Sequence, residues 1–231
     1  FNGQQQDFDM DGVGNACDPD YTIGTIFEDD FETDKGWVVE NLGASTGDWE
    51  RGVPVDDPGW DYDPSSDSDG SGQCYLTENA IGNTDVDGGA VRLSSPSIDM
   101  SGASVTIEYD YFLRMTNPSG TDRLLVEISS NGLGGPWTVL ETHGADNGLA
   151  WTSHAIDQSD LDAAGVSMTS TMRLRFTAND ADPQSIVESG LDAVVVTGVG
   201  GFPDCNGNGV DDAVDISSGT SDDCNTNGVP D

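Results

Sequence analysis

The central part of this chain predicts an antiparallel jelly-roll β-sandwich, an expectation that rests on three observations. Apolar and polar residues alternate over several short runs, Gly, Pro, Asn and Asp interrupt those runs at turn positions, and no long stretch shows a helical period. The clearest run is Val105, Ile107, Tyr109, Tyr111, Leu113 and Met115, with Thr106, Glu108, Asp110 and Arg114 pointing the other way. A two-residue period of this kind marks a strand buried on one face.

In chain order, strands are expected at residues 21–27, 37–40, 74–77, 90–93, 105–115, 124–128, 137–141, 151–156, 172–176 and 193–197. The run at 124–128 repeats the alternation through Leu124, Val126 and Ile128, and the run at 172–176 sets Met172, Leu174 and Phe176 against Arg173 and Arg175. The remaining segments are short groups of β-branched and aromatic residues bounded by turn residues. Only residues 159–164 suggest a turn of helix. Around ten short strands make a two-sheet sandwich, and residues 21–202 are long enough for one domain with a sizeable core.

The two ends read differently. In a twelve-residue calcium loop, side-chain oxygens come from positions 1, 3, 5, 9 and 12, a backbone carbonyl comes from position 7, and glycine at position 6 permits the turn. Asp7, Asp9, Asp11, Val13, Asn15 and Asp18 fill those places around Gly12. Asp204, Asn206, Asn208, Val210, Asp212 and Asp215 repeat the pattern around Gly209, with two carboxylates replaced by amides. A third copy, Asp223, Asn225, Asn227, Val229 and Asp231, stops before its twelfth position, so its last ligand is expected from beyond Asp231. Both complete loops end in Asp rather than Glu, so they do not imply the paired helices of a calmodulin-like sensor. The fold class is therefore all-β: an antiparallel jelly-roll β-sandwich flanked by irregular calcium-binding loops, divided as 1–20, 21–202 and 203–231. Several Ca²⁺ ions are the expected cofactor.

Composition agrees with an ion-loaded protein. The formal net charge is −36 at pH 7, from 43 acidic and 7 basic side chains, and such self-repulsion opposes compaction unless cations neutralise it. Two carboxylates about 4 Å apart repel by roughly 4 kcal/mol at an effective dielectric near 20. With no basic stripe to meet phosphates, nucleic acid is excluded as a partner, and no segment approaches the roughly 20 apolar residues of a membrane span. No signal peptide is present, so the chain is expected to be part of a longer, processed polypeptide. Four cysteines, Cys17, Cys74, Cys205 and Cys224, are read as disulfide-forming in an oxidising exterior. Cys205 and Cys224 could bridge successive loops, and Cys17 and Cys74 could pair with each other or with cysteines elsewhere.

Residues 4–18 resemble a thrombospondin type 3 repeat, and residues 204–231 resemble the Asp-Cys-Asn-x-Asn-Gly repeats of secreted bacterial proteins, which are also similar to dockerin loops. The resemblance implies a rigid, calcium-wrapped connector between extracellular modules. The central domain resembles secreted bacterial jelly-roll modules, distantly like MAM and carbohydrate-binding domains. That likeness rests on Asp29-Asp30-Phe31-Glu32 before Gly36-Trp37, on residues 47–52, on Asp85-Val86-Asp87-Gly88-Gly89, and on residues 187–192. It implies a structural calcium between the first and last strands, with Asp30, Glu32 and Asp192 as ligands. A further calcium is expected at Asn83, Asp85 and Asp87.

Trp60 and Tyr62 lie in a polar loop far from any strand pattern and are candidates to stack on a sugar. The same loop continues through Asp67-Ser68-Asp69-Gly70, another candidate cation site. Catalysis has little support: His-Glu-x-x-His is absent, the histidines are His143 and His154, and the many acids single out no glycosidase pair. The chain reads as a non-enzymatic, extracellular, calcium-stabilised structural module, secreted or on a bacterial cell surface. It would be the repeating unit of a filament, stalk or adhesin that meets neighbouring copies head-to-tail. The alternative is a glycan-binding accessory module of a secreted hydrolase.

Overall fold

A computed structural model describes residues 24–181, 183, 185–199 and 216–220. The loop ligands expected at 7–18, 204–215 and 223–231, together with Cys17, Cys205 and Cys224, lie outside the described residues. The strands are β1 (Gly24–Asp29), β2 (Val38–Asn41), β3 (Trp49–Gly52), β4 (Cys74–Thr77), β5 (Gly89–Ser94), β6 (Ser104–Thr116), β7 (Arg123–Ser129), β8 (Thr138–His143), β9 (Thr152–Ile156), β10 (Arg173–Asp180) and β11 (Ile186–Val199). One short helix, α1 (Gln158–Ala163), precedes β10. It is capped by Asp157, whose carboxylate accepts from the Ser159 and Asp160 amides.

Two antiparallel sheets pack face to face. Sheet I runs β3-β4-β11-β6-β9 and sheet II runs β2-β5-β10-β7-β8, while β1 shares the β4 edge of β11. From β4 onward, successive strands alternate between the sheets, except that β7 and β8 are neighbours within sheet II. The resulting four-strand orders, 4-11-6-9 and 5-10-7-8, are those of a jelly roll. Strands β1, β2 and β3 extend its edges.

The two-residue period places the core. Ile107, Tyr109 and Leu113 of β6 face Leu124, Val126, Leu174 and Phe176 of sheet II, and all seven are at most 1 % exposed. Tyr109 meets Phe176 edge-on with ring centroids 5.1 Å apart, a favoured geometry for buried aromatics. Trimming Ile107 to Val should cost about 1 kcal/mol in urea unfolding, the usual loss for one buried methylene.

The structure departs from the sequence reading, or adds to it, at four places. β3 was not expected, and with it the strands number eleven among the described residues. The last strand is longer than residues 193–197, because a register shift between Asp192 and Val195 lets it turn past Ala193, which has φ 47°. Phe112 occupies a polar-face position of β6 yet is fully buried, because loop 53–73 crosses the outer face of sheet I. There the Trp151 indole donates to the Ser66 carbonyl at 2.8 Å and its ring lies 5.8 Å from Phe112. Finally, Cys74 is a buried free thiol rather than half of a disulfide, and burial raises its pKa well above the ordinary thiol value.

Candidate metal centre

Asp85 and Asp87 lie just before β5, and Asp180 ends β10 directly opposite Gly89. The segment is fixed from both sides. The Val86 amide donates to the Val187 carbonyl at 3.1 Å, and the Ser45 amide donates to the Asp87 carbonyl at 2.8 Å. A Cβ on Gly89 would lie 2.5 Å from the Ala44 amide nitrogen, so glycine is required for this approach.

The ligand-type oxygens of Asp85, Asp87 and Asp180 all fall within 4.8 Å of one another. Asp85 is 1 % exposed and Asp180 is fully buried. Burial raises the Asp85 pKa to about 7, with the charges of Asp87 and Asp180 adding to the effect. Asp85 Oδ1 is enclosed and accepts no hydrogen bond. Asn83 and Asn117 line the same depression, together with Ser185. Sequence reasoning had grouped Asn83, Asp85 and Asp87. It missed Asp180, although a signal existed: Asp180 continues the inward-facing series Leu174, Phe176, Ala178, where a carboxylate has no solvent to meet.

The other expected ligands are distributed differently. Asp192 is brought together with Asp67 and Asp69 rather than with Asp30 and Glu32. Both Asp192 oxygens are occupied, one by the Ser68 amide and hydroxyl at 2.8 and 3.0 Å and the other by the Ala193 amide at 2.8 Å. Burial raises its pKa to about 6. Asp30 is exposed and accepts from the Glu32 amide at 3.2 Å, while Glu32 accepts from the Gln73 amide at 2.5 Å. These contacts fasten the turn after β1 to the end of loop 53–73.

Two further features lie nearby. The Asp63 carboxyl from loop 53–73 interacts with that of Glu188 on β11, and Glu188 also accepts from Thr77 at 3.0 Å and Thr84 at 3.4 Å. Burial, then mutual repulsion, holds the Glu188 carboxyl well above the ordinary range. Trp60 and Tyr62 lie with ring centroids 4.8 Å apart, and the Arg114 guanidinium sits 5.0 Å over Tyr62. Both aromatics are part-buried, and the Trp60 indole nitrogen is enclosed.

Gly43-Ala44-Ser45-Thr46-Gly47 spells Gly-x-Ser-x-Gly, but it lies between β2 and β3 rather than at a strand-to-helix elbow. The Ser45 hydroxyl donates to the Asp87 carbonyl at 3.3 Å. The histidines meet each other instead, with ring centroids 4.9 Å apart, and His143 Nε2 lies 2.8 Å from the Tyr109 hydroxyl.

No protein-family model matches the chain, and no curated protein matches it. Similar solved structures include the K1 cleaved adhesin domain of Lys-gingipain from Porphyromonas gingivalis W83, at TM-score 0.48 and 17% identity over 76% of this chain and 97% of that one. The K3 cleaved adhesin domain of the same protein aligns at TM-score 0.46 and 13% identity, covering 75% and 98%. The CBM22-1 xylan-binding domain of Paenibacillus barcinonensis Xyn10C aligns at TM-score 0.39 and 12% identity, covering 76% and 95%.

Proposed function

We propose that this chain is an extracellular, calcium-stabilised structural module, the repeating unit of a filament, stalk or adhesin, with no catalytic role. The observation that carries the reading is the Asp85, Asp87 and Asp180 cluster, with one buried carboxylate oxygen that no protein donor meets. Buried like charges at this spacing need either a proton or a cation, and hard carboxylate and amide oxygens favour Ca²⁺ or Mg²⁺ over softer metals. An ion held there would tie the end of β10 to the segment before β5 and, through Asp87, to the β2–β3 loop. The terminal loops would carry further ions and join neighbouring copies head-to-tail.

Calorimetric titration with calcium tests this. The chain should bind one ion fewer when Asp85→Asn and Asp180→Asn are combined, with the terminal sites unchanged. Equal stoichiometry and affinity in the two proteins would remove the cluster from the proposal. Trp60 and Tyr62, the candidate glycan contacts, are part-buried, and their rings pack against each other and Arg114.

A further inference from the structure

Strand register sorts the few cations of this acidic chain onto one face. Arg173 and Arg175 of β10, Arg92 of β5 and Arg123 of β7 all occupy outward positions of sheet II, since Leu174, Phe176, Leu93 and Leu124 point inward. These are four of the chain's seven basic side chains. The acids in outward positions on those strands and β2 are Glu127 and Glu40. Arg92 pairs with Glu40 and the buried Arg175 with Glu127, so Arg123 and Arg173 carry the excess positive charge of this face on a protein of net −36.

The surface is also held in place. Glu127 accepts two bonds from Arg175 at 2.8 and 2.7 Å, and the same guanidinium lies 4.0 Å over the Trp137 ring. Arg175 is 8% exposed, so this pair braces the sheet beneath the surface that Arg92, Arg123 and Arg173 present. Val38 and Val139, 41% and 50% exposed, flank the arginines on the same face. Arginine beside exposed apolar area is the usual composition of a protein interface.

The outer face of sheet I has the opposite charge. Glu28, Glu108 and Asp110 lie side by side on β1 and β6 across Val195. Glu108 and Asp110 border a shallow depression floored by Ser153, Ala155 and Val195. We infer that the arginine face of sheet II docks onto the acidic outer face of sheet I of a second copy of this chain. The two surfaces are different patches of one molecule, so the contact is head-to-tail and open-ended rather than a closed dimer. At physiological ionic strength the net repulsion between copies is screened beyond about 8 Å, whereas facing side chains act at contact range. This contact goes beyond the calcium reading and does not require it.

Sedimentation velocity of the 231-residue chain, at physiological salt and fixed millimolar calcium, tests the inference. Sedimentation coefficients should rise continuously from micromolar to millimolar protein and pass the dimer value. Arg92→Glu with Arg123→Glu should weaken association at least about tenfold, and Glu108→Lys with Asp110→Lys should do the same. Mixing these two variants should give a one-to-one heterodimer that grows no further, because only the intact arginine face of one and the intact acidic face of the other can meet. Circular dichroism melts confirm that both are folded. A wild type that stays monomeric throughout overturns the inference, as does association indifferent to the arginine pair. Binding of polygalacturonate to a monomeric wild type, lost with the arginine pair, would reassign the face to an anionic glycan and also overturn it.

Discussion

Chelation should lower the unfolding midpoint by roughly 8–16 °C, given about 4 kcal/mol for one site held at a thousand times its dissociation constant and 2–4 °C per kcal/mol in a domain of this size. The cause is local to Asp85, Asp87 and Asp180, whose oxygens lie within 4.8 Å of one another. With a cation present, their repulsion becomes coordination. Without one, Asp85 either keeps a proton or leaves a charged oxygen buried and unmet. Scanning calorimetry in calcium and in EDTA measures the difference. Asp85→Asn combined with Asp180→Asn should raise the midpoint in EDTA, because the repulsion is gone, and should shrink the response to calcium. A midpoint in the wild type that ignores EDTA would show that no ion supports the fold.

In EDTA, stability should also fall as pH rises through neutrality, the reverse of ordinary acid denaturation. Asp63 and Glu188 are responsible: burial, then the charge of Asp57, raises Asp63, while burial, then repulsion from Asp63 and Asp85, raises Glu188 above its usual range. A raised carboxyl binds its proton more tightly in the folded state, so folding takes up protons and loses free energy as pH climbs. The contribution is complete below about pH 4, where the unfolded groups are also protonated, and disappears as pH passes the raised folded values. Every unit of upward displacement corresponds to about 1.4 kcal/mol. Glu188→Gln keeps the side-chain length and can still meet Thr77 and Thr84, yet cannot ionise. Urea unfolding followed across pH should therefore show a flatter slope in this variant, whereas identical slopes would mean that the pair does not share a proton.

Much of this fold was legible wherever a strand is buried on one face. The period through Val105, Ile107, Tyr109 and Leu113 identified β6, and the Leu174 and Phe176 alternation identified β10. Trp49-Glu50-Arg51-Gly52 was too short to show a period, so β3 was not legible. The burial of Phe112 was not legible for another reason: its face is covered by loop 53–73, a contact that alternation within one strand cannot encode. At the candidate site, carboxylate spacing identified Asp85 and Asp87, because those ligands are two residues apart. Asp192 meets Ser68 across 124 positions of sequence, and Asp180 reaches its partners only through the pairing of β5 with β10. Local sequence names candidate donors, while sheet topology decides which of them converge.

The β1–β11 pairing has a mechanical consequence. Gly24, the first residue of β1, lies opposite Gly198 near the end of β11, so the chain enters and leaves this domain side by side. Tension applied through those two points would load the ladder one rung at a time, like a zipper, instead of shearing all its rungs together. A string of such domains would yield first by peeling β1 away. Its tensile strength would therefore be set less by the aromatic interior than by whatever clamps the place where the two strand ends emerge.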